Sequence, residues 1–546
     1  MAKIIMDGQE YEVSDGISVV QAAAEVGVTI PHYCYHPSLG APANCRMCLI
    51  ELTPPGAPGP IRQLTTACTT RVGDGMEISN SAPRVKQARA TTLQFLLAHH
   101  PLDCPTCDEA GECFLQDYAY EFGHDRSVYQ EIKNVPPRKS LGPTVDLFTT
   151  RCIVCTRCVR FTEEISGGAE IGLMHRGVHD EIDVAPDKPL DNKLSGNVVD
   201  ICPVGALVSK DFLYRSRPWF LTKKPSVCNR CSKGCNIHVE SREGEVARLR
   251  PRYHADVNDF WMCDDGRFGY EYVNSPDRLR LPALRKDGEL IPAGWRELLE
   301  TAAEKIQALG GEQTAVITSA WMTNEELYAV KRLAEEGVGT ERIGLFEGPV
   351  EDEDEVFPKF VIERDKNPNR AGAELIFGDG LKTAAEALDG AKAAVFFGGI
   401  PGAPLDDALM DRLTALEYLL TVDILPSALT EAADAAAPGT AFTEKEGCFT
   451  NSAKRVQRLS KALPNLGNAL AEWQFAAYLA NALGANIEYE SAAQITDDLA
   501  STVAAFHGAV DEAIDWRGFC LEEKTDGGEA EETAPENWAY ASRFWR

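Results

Sequence analysis

The stretch RCIVCTRC at 151–158 sets Cys152, Cys155 and Cys158 in a C-x2-C-x2-C run, and ICP at 201–203 adds a remote Cys202 followed by Pro203. A tight cysteine triplet with a distant Cys-Pro is the ferredoxin spacing for a [4Fe-4S] cluster. Zinc rarely takes three cysteines packed so closely, whereas a cuboidal cluster can place three of its corners on one loop. Arg151, Arg157 and Arg160 surround this loop. They fit the offsetting of a cluster's negative charge, although solvated surface arginines would read the same way.

Three further sets lie on either side. Cys34, Cys45, Cys48 and Cys68 follow C-x10-C-x2-C-x19-C spacing. Two sulfide-bridged irons need two cysteines each, so four thiolates with one close pair suit a [2Fe-2S] cluster, with tetrahedral zinc as the alternative. The ten-residue first spacer is longer than the plant-type one. His100, Cys104, Cys107 and Cys113 form H-x3-C-x2-C-x5-C, which suits either [4Fe-4S] or zinc, and His99 competes with His100 on spacing alone. With iron, one neutral imidazole in place of a thiolate should raise the potential. Cys228, Cys231, Cys235 and Cys263 form C-x2-C-x3-C-x27-C, again suited to [4Fe-4S].

Fifteen of the 17 cysteines lie between Cys34 and Cys263, and they fill these sets with none left over. Disulfides are a weak reading, because neighbours two or three residues apart pair only under strain and the total is odd. The opening MAKIIMDGQEYEV has no basic-then-apolar leader, which points to a reducing compartment. Only Cys448 and Cys520 lie further along.

The remaining composition narrows the class. At 546 residues, 44% apolar and 25% charged, with no run approaching 18 apolar residues, the chain reads as multidomain and globular. Net charge is -29, of which -5 falls before residue 271 and -24 after it. Such an acidic chain repels phosphate backbones, so no nucleic-acid partner is expected despite the CxxC elements.

Secondary-structure signals place the sets. Residues 3–6 and 9–13 read as a hairpin turned by Asp7-Gly8, then a helix over 18–26 stopped by Gly27. Strand, strand, helix and cysteine loop make a ferredoxin-like order. Residues 81–99 form a helix with Val85, Ala88, Leu93, Leu96 and Leu97 on its apolar face, and residues 134–142 a linker. After Tyr270, strands at 314–318 and 393–397 alternate with helices at 324–336 and 404–416, which indicates a parallel-sheet α/β domain. Gly398, Gly399 and Gly402 read as a packing turn rather than a nucleotide loop. The tail from 522 is acidic and Gly-rich, an extended arm whose Trp538, Tyr540, Phe544 and Trp545 could dock on a partner or pack back on the chain.

Taken together, the motifs resemble the large iron–sulfur subunit of respiratory NADH–quinone oxidoreductase, complex I, in its bacterial G type and mitochondrial 75 kDa type. The match runs from residue 1 to about 290, and the stretches GRFGYEYVNSPDRL at 266–279 and EKEGCFTNSAKRVQR at 444–458 look like a degenerate molybdopterin-oxidoreductase fold. The resemblance implies a multidomain α+β and α/β chain. Its parts would be a beta-grasp [2Fe-2S] domain at 1–80, a His/Cys3 [4Fe-4S] domain at 81–140 and a ferredoxin-type [4Fe-4S] domain at 141–220. A [4Fe-4S] domain of molybdopterin-oxidoreductase type would follow at 221–275, then a shortened α/β domain at 276–521 and the arm at 522–546. It places the imidazole ligand on His100, gives one [2Fe-2S] and three [4Fe-4S] clusters, and puts the fourth off the main electron path, as in some bacterial members. About 275 residues follow Tyr270, too few for a complete molybdopterin enzyme, so no molybdopterin is expected, and no NADH pocket.

The implied role is an electron relay with no catalytic acid, base or nucleophile. Its partners would be a flavin-bearing NADH-oxidising subunit with a [2Fe-2S] companion, and quinone-reducing subunits. Membrane association would be indirect, at the cytoplasmic face of a bacterial inner membrane. The alternative is an iron–sulfur subunit of an NAD-linked hydrogenase or formate dehydrogenase.

Overall fold

The computed structural model describes residues 1–521 apart from 176, 178–179 and 402–404. Gly402, the start of the helix expected over 404–416 and the arm with Trp538, Tyr540, Phe544 and Trp545 therefore lie outside the described residues. The chain divides into two compact units, residues 1–221 and residues from 222 onward, with 357–360 grouped with the first.

The first unit opens with β1 (Ala2–Met6) and β2 (Gln9–Val13) joined through Asp7 at φ 48° and Gly8 at φ 84°, the paired positive φ that a type I′ hairpin requires. Helix α1 (Val19–Glu25) follows, begun by a capping box between Ser18 and Gln21 and closed by Gly27 at φ 74°. Strands β3 (Leu49–Thr53), β4 (Thr65–Thr66) and β5 (Met76–Ser79) complete a five-stranded sheet in the order β2-β1-β5-β3-β4. The β1–β5 pair is parallel and the others antiparallel, which is the beta-grasp arrangement. Alternation drives Ala2, Ile4 and Met6 inward against Val19, Val20, Ala22 and Ala23 of α1. Cys48 and Cys68 belong to this same core.

Helix α2 (Pro83–His99) starts with proline at its first position, where no donor is lost. Its buried stripe is Val85, Arg89, Ala90 and Leu93. Leu96 and Leu97 are only partly covered, so the apolar face expected from spacing ends a turn early. Arg89 can be buried because it donates to the carbonyls of Asn80 and Leu49 and to the Asn80 side chain, while its guanidinium sits 5.3 Å from the Phe122 ring centroid.

After α3 (Phe114–Phe122), the expected linker at 134–142 is corrected in part. Arg138–Ser140 forms strand β6 against β7 (Val145–Phe148), and Leu141 is buried. Pro136 and Pro137 precede the pairing, and β6 lies at the edge of its sheet, where proline neighbours are tolerated. Helix α4 (Arg157–Glu164) and a strand at Leu207–Ser209 complete the part that carries the third cysteine set.

In the second unit, three antiparallel strands, Thr222–Val227, Asn236–Arg242 and Glu245–Pro251, precede an eight-stranded sheet. Its parallel part runs Ala435–Pro438, Tyr418–Asp423, Ala393–Phe397, Thr314–Ser319, Ile343–Phe346 and Lys382–Thr383, with the hairpin Ala283–Lys286 and Glu289–Pro292 antiparallel at one edge. Successive residues enter two separate cores: Val316, Val395 and Leu420 on one face, Ala315, Ile317, Phe396 and Leu419 on the other. A sheet buried on both faces needs continuous apolar strands, which is what the sequence carries there. Helix Asn324–Arg332 passes into a π turn over Leu333–Val338, and Asp406 caps the helix Asp407–Thr414. Among the described residues no helix is long and apolar enough to cross a membrane.

Candidate metal centres

All 17 cysteines are free thiols. The first set hangs on two loops of the beta-grasp unit. Cys48 and Cys68 sit with Sγ atoms 3.4 Å apart, and Cys34 and Cys45 hydrogen-bond to each other through their thiols. The four therefore form two pairs, the division that two bridged irons call for. Ala43 at φ 54° and Arg46 at φ 57° bend the loop that returns Cys45 towards Cys34. Within each pair one thiol donates to the other: accepting from Cys34 pulls Cys45 down to about 5, and accepting from Cys48 pulls Cys68 down. Cys34 and Cys48 are pushed up by donating that bond and by burial.

The second set begins where α2 ends. His99 is exposed and meets the Tyr129 ring edge-on with centroids 4.9 Å apart, whereas His100 leaves the helix in an extended conformation and is the more covered. Burial, then the nearby Lys133 and Arg151 cations, lower His100 to about 4, so its imidazole is neutral, the state a metal ligand needs. Cys104 opens a 3-10 turn and is exposed, while Cys107 and Cys113 are buried. Gly205 lies against Cys107; a Cβ built on it would stand 2.1 Å from the Cys107 sulfur.

For the third set, Cys152, Cys155, Cys158 and Cys202 all line one cavity, with Leu147, Ile182, Val204 and Leu207 as apolar wall. Val154 at φ 51° and Thr156 at φ 62° fold the triplet around it. Burial pushes the Cys152 thiol up to about 12 and raises the other three as well. Thiolates in such a place need a cationic partner, and iron would supply one. The three arginines are buried, not solvated. Arg151 pairs with Asp103, beside Cys104 of the second set, at 3.0 Å, and its guanidinium lies 4.0 Å from the Phe148 ring centroid.

The fourth set belongs to the second unit. Cys228, Cys231 and Cys235 turn between two strands, closed by Cys228 N–H donating to the Cys235 carbonyl at 2.8 Å. Cys263 caps the short helix Asp264–Phe268, its sulfur accepting from Gly266 N–H at 3.3 Å. Gly266 lets the turn come close: a Cβ there would meet the Cys228 sulfur at 3.0 Å and the Cys263 sulfur at 3.5 Å. Sequence reasoning missed what braces this turn. Asn451 donates to the Lys233 carbonyl, Gln457 to the Gly234 carbonyl at 3.0 Å, and Ser452 N–H to Ser232 at 2.8 Å, so the stretch 444–458 buttresses the cysteines.

Among the described residues no three His, Cys, Asp or Glu side chains are gathered closely enough to hold a single metal ion. The donor chemistry at all four sets suits iron and sulfide.

Several family models match this chain. Residues 1–83 match a 2Fe-2S iron-sulfur cluster binding domain, 89–127 the NADH-ubiquinone oxidoreductase-G iron-sulfur binding region, and 142–208 the NADH-quinone oxidoreductase subunit 3 ferredoxin-like domain. Residues 221–275 match the molybdopterin oxidoreductase Fe4S4 domain, and 278–347 with 370–482 the molybdopterin oxidoreductase family. The G-type subunit of NADH-quinone oxidoreductase from Rickettsia felis is 42% identical over 333 residues, 61% of this chain and 49% of that protein. The mitochondrial NADH-ubiquinone oxidoreductase 78 kDa subunit of Neurospora crassa is 40% identical over 347 residues, 63% of this chain and 46% of that protein. The matched segment thus spans about half the length of these curated relatives. A chain of an NAD+-reducing [NiFe]-hydrogenase in the H2-reduced state covers 39% of this chain and 90% of its own at 27% identity, with a TM-score of 0.36. The chain resembles the large iron–sulfur subunit of complex I and carries 2Fe-2S and 4Fe-4S cluster-binding domains.

Proposed function

We propose that this chain is an electron-relay subunit of an NADH–quinone oxidoreductase of complex I type. It would take electrons from a flavin-bearing NADH-oxidising subunit and its [2Fe-2S] companion and pass them towards quinone-reducing subunits, while the whole assembly pumps protons. Cys34, Cys45, Cys48 and Cys68 would hold one [2Fe-2S] cluster. His100, Cys104, Cys107 and Cys113, then Cys152, Cys155, Cys158 and Cys202, then Cys228, Cys231, Cys235 and Cys263 would each hold a [4Fe-4S] cluster, with no molybdopterin. When bound, these groups supply one-electron transfer without proton chemistry in this chain.

The observation that carries the proposal is the cavity shared by the four thiols of the third set, walled by apolar side chains and flanked by buried arginines. The chain's own contribution is placement and charge. Its ligand loops hold the thiolates, its apolar walls exclude water, and its guanidinium groups stabilise added negative charge. Exposed Phe95, Leu102 and Ile132 flank the second set and fit a face that a neighbouring subunit covers. Such a chain would sit in the peripheral arm, at the cytoplasmic face of a bacterial inner membrane.

Replacing Cys155 or Cys202 by Ala in the assembled oxidoreductase should abolish quinone reduction while sparing NADH oxidation by an artificial acceptor at the flavin. If quinone reduction survives both substitutions, the relay reading is wrong. Iron and acid-labile sulfide near ~14 each per chain would agree with one two-iron and three four-iron clusters.

A further inference from the structure

Arg157 lies between two of the cysteine sets and touches the main chain of both. It is 1% exposed. From the first turn of α4, one terminal nitrogen donates at 3.0 Å to the carbonyl of Ile201, the residue before Cys202 of the third set. The other donates at 2.5 Å to the carbonyl of Tyr35, the residue after Cys34 of the first. The same charge acts on Cys155 of one set and on Cys34 and Cys45 of the other. One turn further along, Arg160 donates to the carbonyls of Cys34 and Gly40. Asn44 reaches Thr156 at 3.4 Å, and Gly40 N–H reaches the Glu164 carboxylate at 3.1 Å. Helix α4 thus holds the loop from Cys34 to Cys45 by side chains that start beside the cysteines of the third set.

We infer that Arg157 is a positioning residue shared by two electron-carrying centres, its planar fork fixing the Cys34 loop relative to the Cys202 loop and its charge favouring the reduced state of both. A guanidinium can do this because its donors point in two fixed directions at once and it stays charged when buried. A lysine has the charge but is a single point on a flexible stem, so it cannot reproduce the two-carbonyl span. Adding an electron to either centre adds negative charge, and a cation in a low-dielectric setting stabilises that state.

The inference rests on the relay reading and is tested in the assembled oxidoreductase by potentiometric EPR of both centres and of the magnetic coupling between their signals. Arg157→Met should make both centres harder to reduce, each by about tenfold in its equilibrium, or ~59 mV for one electron. Arg157→Lys should keep both potentials near the unmodified values but weaken the coupling, because the charge remains and the fork is lost. A shift confined to one centre in Arg157→Met, or to neither, overturns the shared role. Should Arg157→Met fail to assemble a centre, Arg157→Lys decides alone: weakened coupling with both potentials kept supports the inference, and unchanged coupling overturns it. Unmodified protein without iron–sulfur signals would instead sink the relay reading, before any variant is compared.

Discussion

Lys445 lies wholly buried between the carboxylates of Glu326 and Glu472, 2.9 Å from each, and Glu472 is also held by Thr440 at 3.0 Å. Beside it, Arg278 binds Glu444 through both terminal nitrogens, at 2.6 and 2.7 Å. Removing the cation leaves two buried acids facing each other. Lys445→Met should therefore destabilise the second unit by about 3–5 kcal/mol, read as a lowered unfolding midpoint for that unit. His238 adds a pH term. Burial, with Lys223, Arg252 and Arg250 close by, holds it down at about 3 from 6.5, so it is neutral when folded and takes up a proton when unfolded below 6.5. Stability then rises with pH between those values, and acidification from 6.5 towards 4 should cost up to ~1.4 kcal/mol per pH unit from this group. Denaturation measured across that range should show a shallower slope for His238→Gln, while an unchanged slope would assign the effect to other groups. Neither buried network was visible in the sequence, because a lysine or glutamate in a row of letters carries no sign of what surrounds it.

At the scale of elements, short local patterns were legible and long-range ones were not. Asp7-Gly8 and Gly27 each act within a few residues, and the hairpin and helix form as read, except that Ser18 caps the helix instead of beginning it. The strands read at 314–318 and 393–397 were equally plain, since burial on both faces writes itself as an unbroken run; the first extends one residue further, to Ser319. The strand at 138–140 was missed because its pairing partner, and not its own polar residues, makes it a strand. Gly205 is a similar case: beside Cys202-Pro203 it looks like an ordinary turn residue, yet it leaves room for Cys107 almost a hundred residues earlier. Gly205→Ala should displace the Cys107 thiol. The expected result is loss of the second [4Fe-4S] signal and a drop of about four irons per chain, with the third set's signal retained. Full iron content in that variant would show that the loop can give way.

Across the whole molecule, the four cysteine groups stand out in the sequence by spacing alone, because spacing limits which thiols one cluster could gather. The grouping of Cys48 with Cys68 and of Cys34 with Cys45 was not, since it depends on how two loops of the sheet approach. His99 and His100 also differ only in three dimensions: the end of α2 turns one ring outward and covers the other. The charge split between the halves said little about either core, since the acidic half still contains Lys445 and Arg278 in its interior.

The arginines of α4 reach back more than a hundred residues to the loop that starts at Cys34. During synthesis the amino-terminal domain would emerge from the ribosome well before the side chains that brace that loop. Until residue 160 had followed, the loop from Cys34 to Cys45 would lack the guanidinium groups that hold its carbonyls.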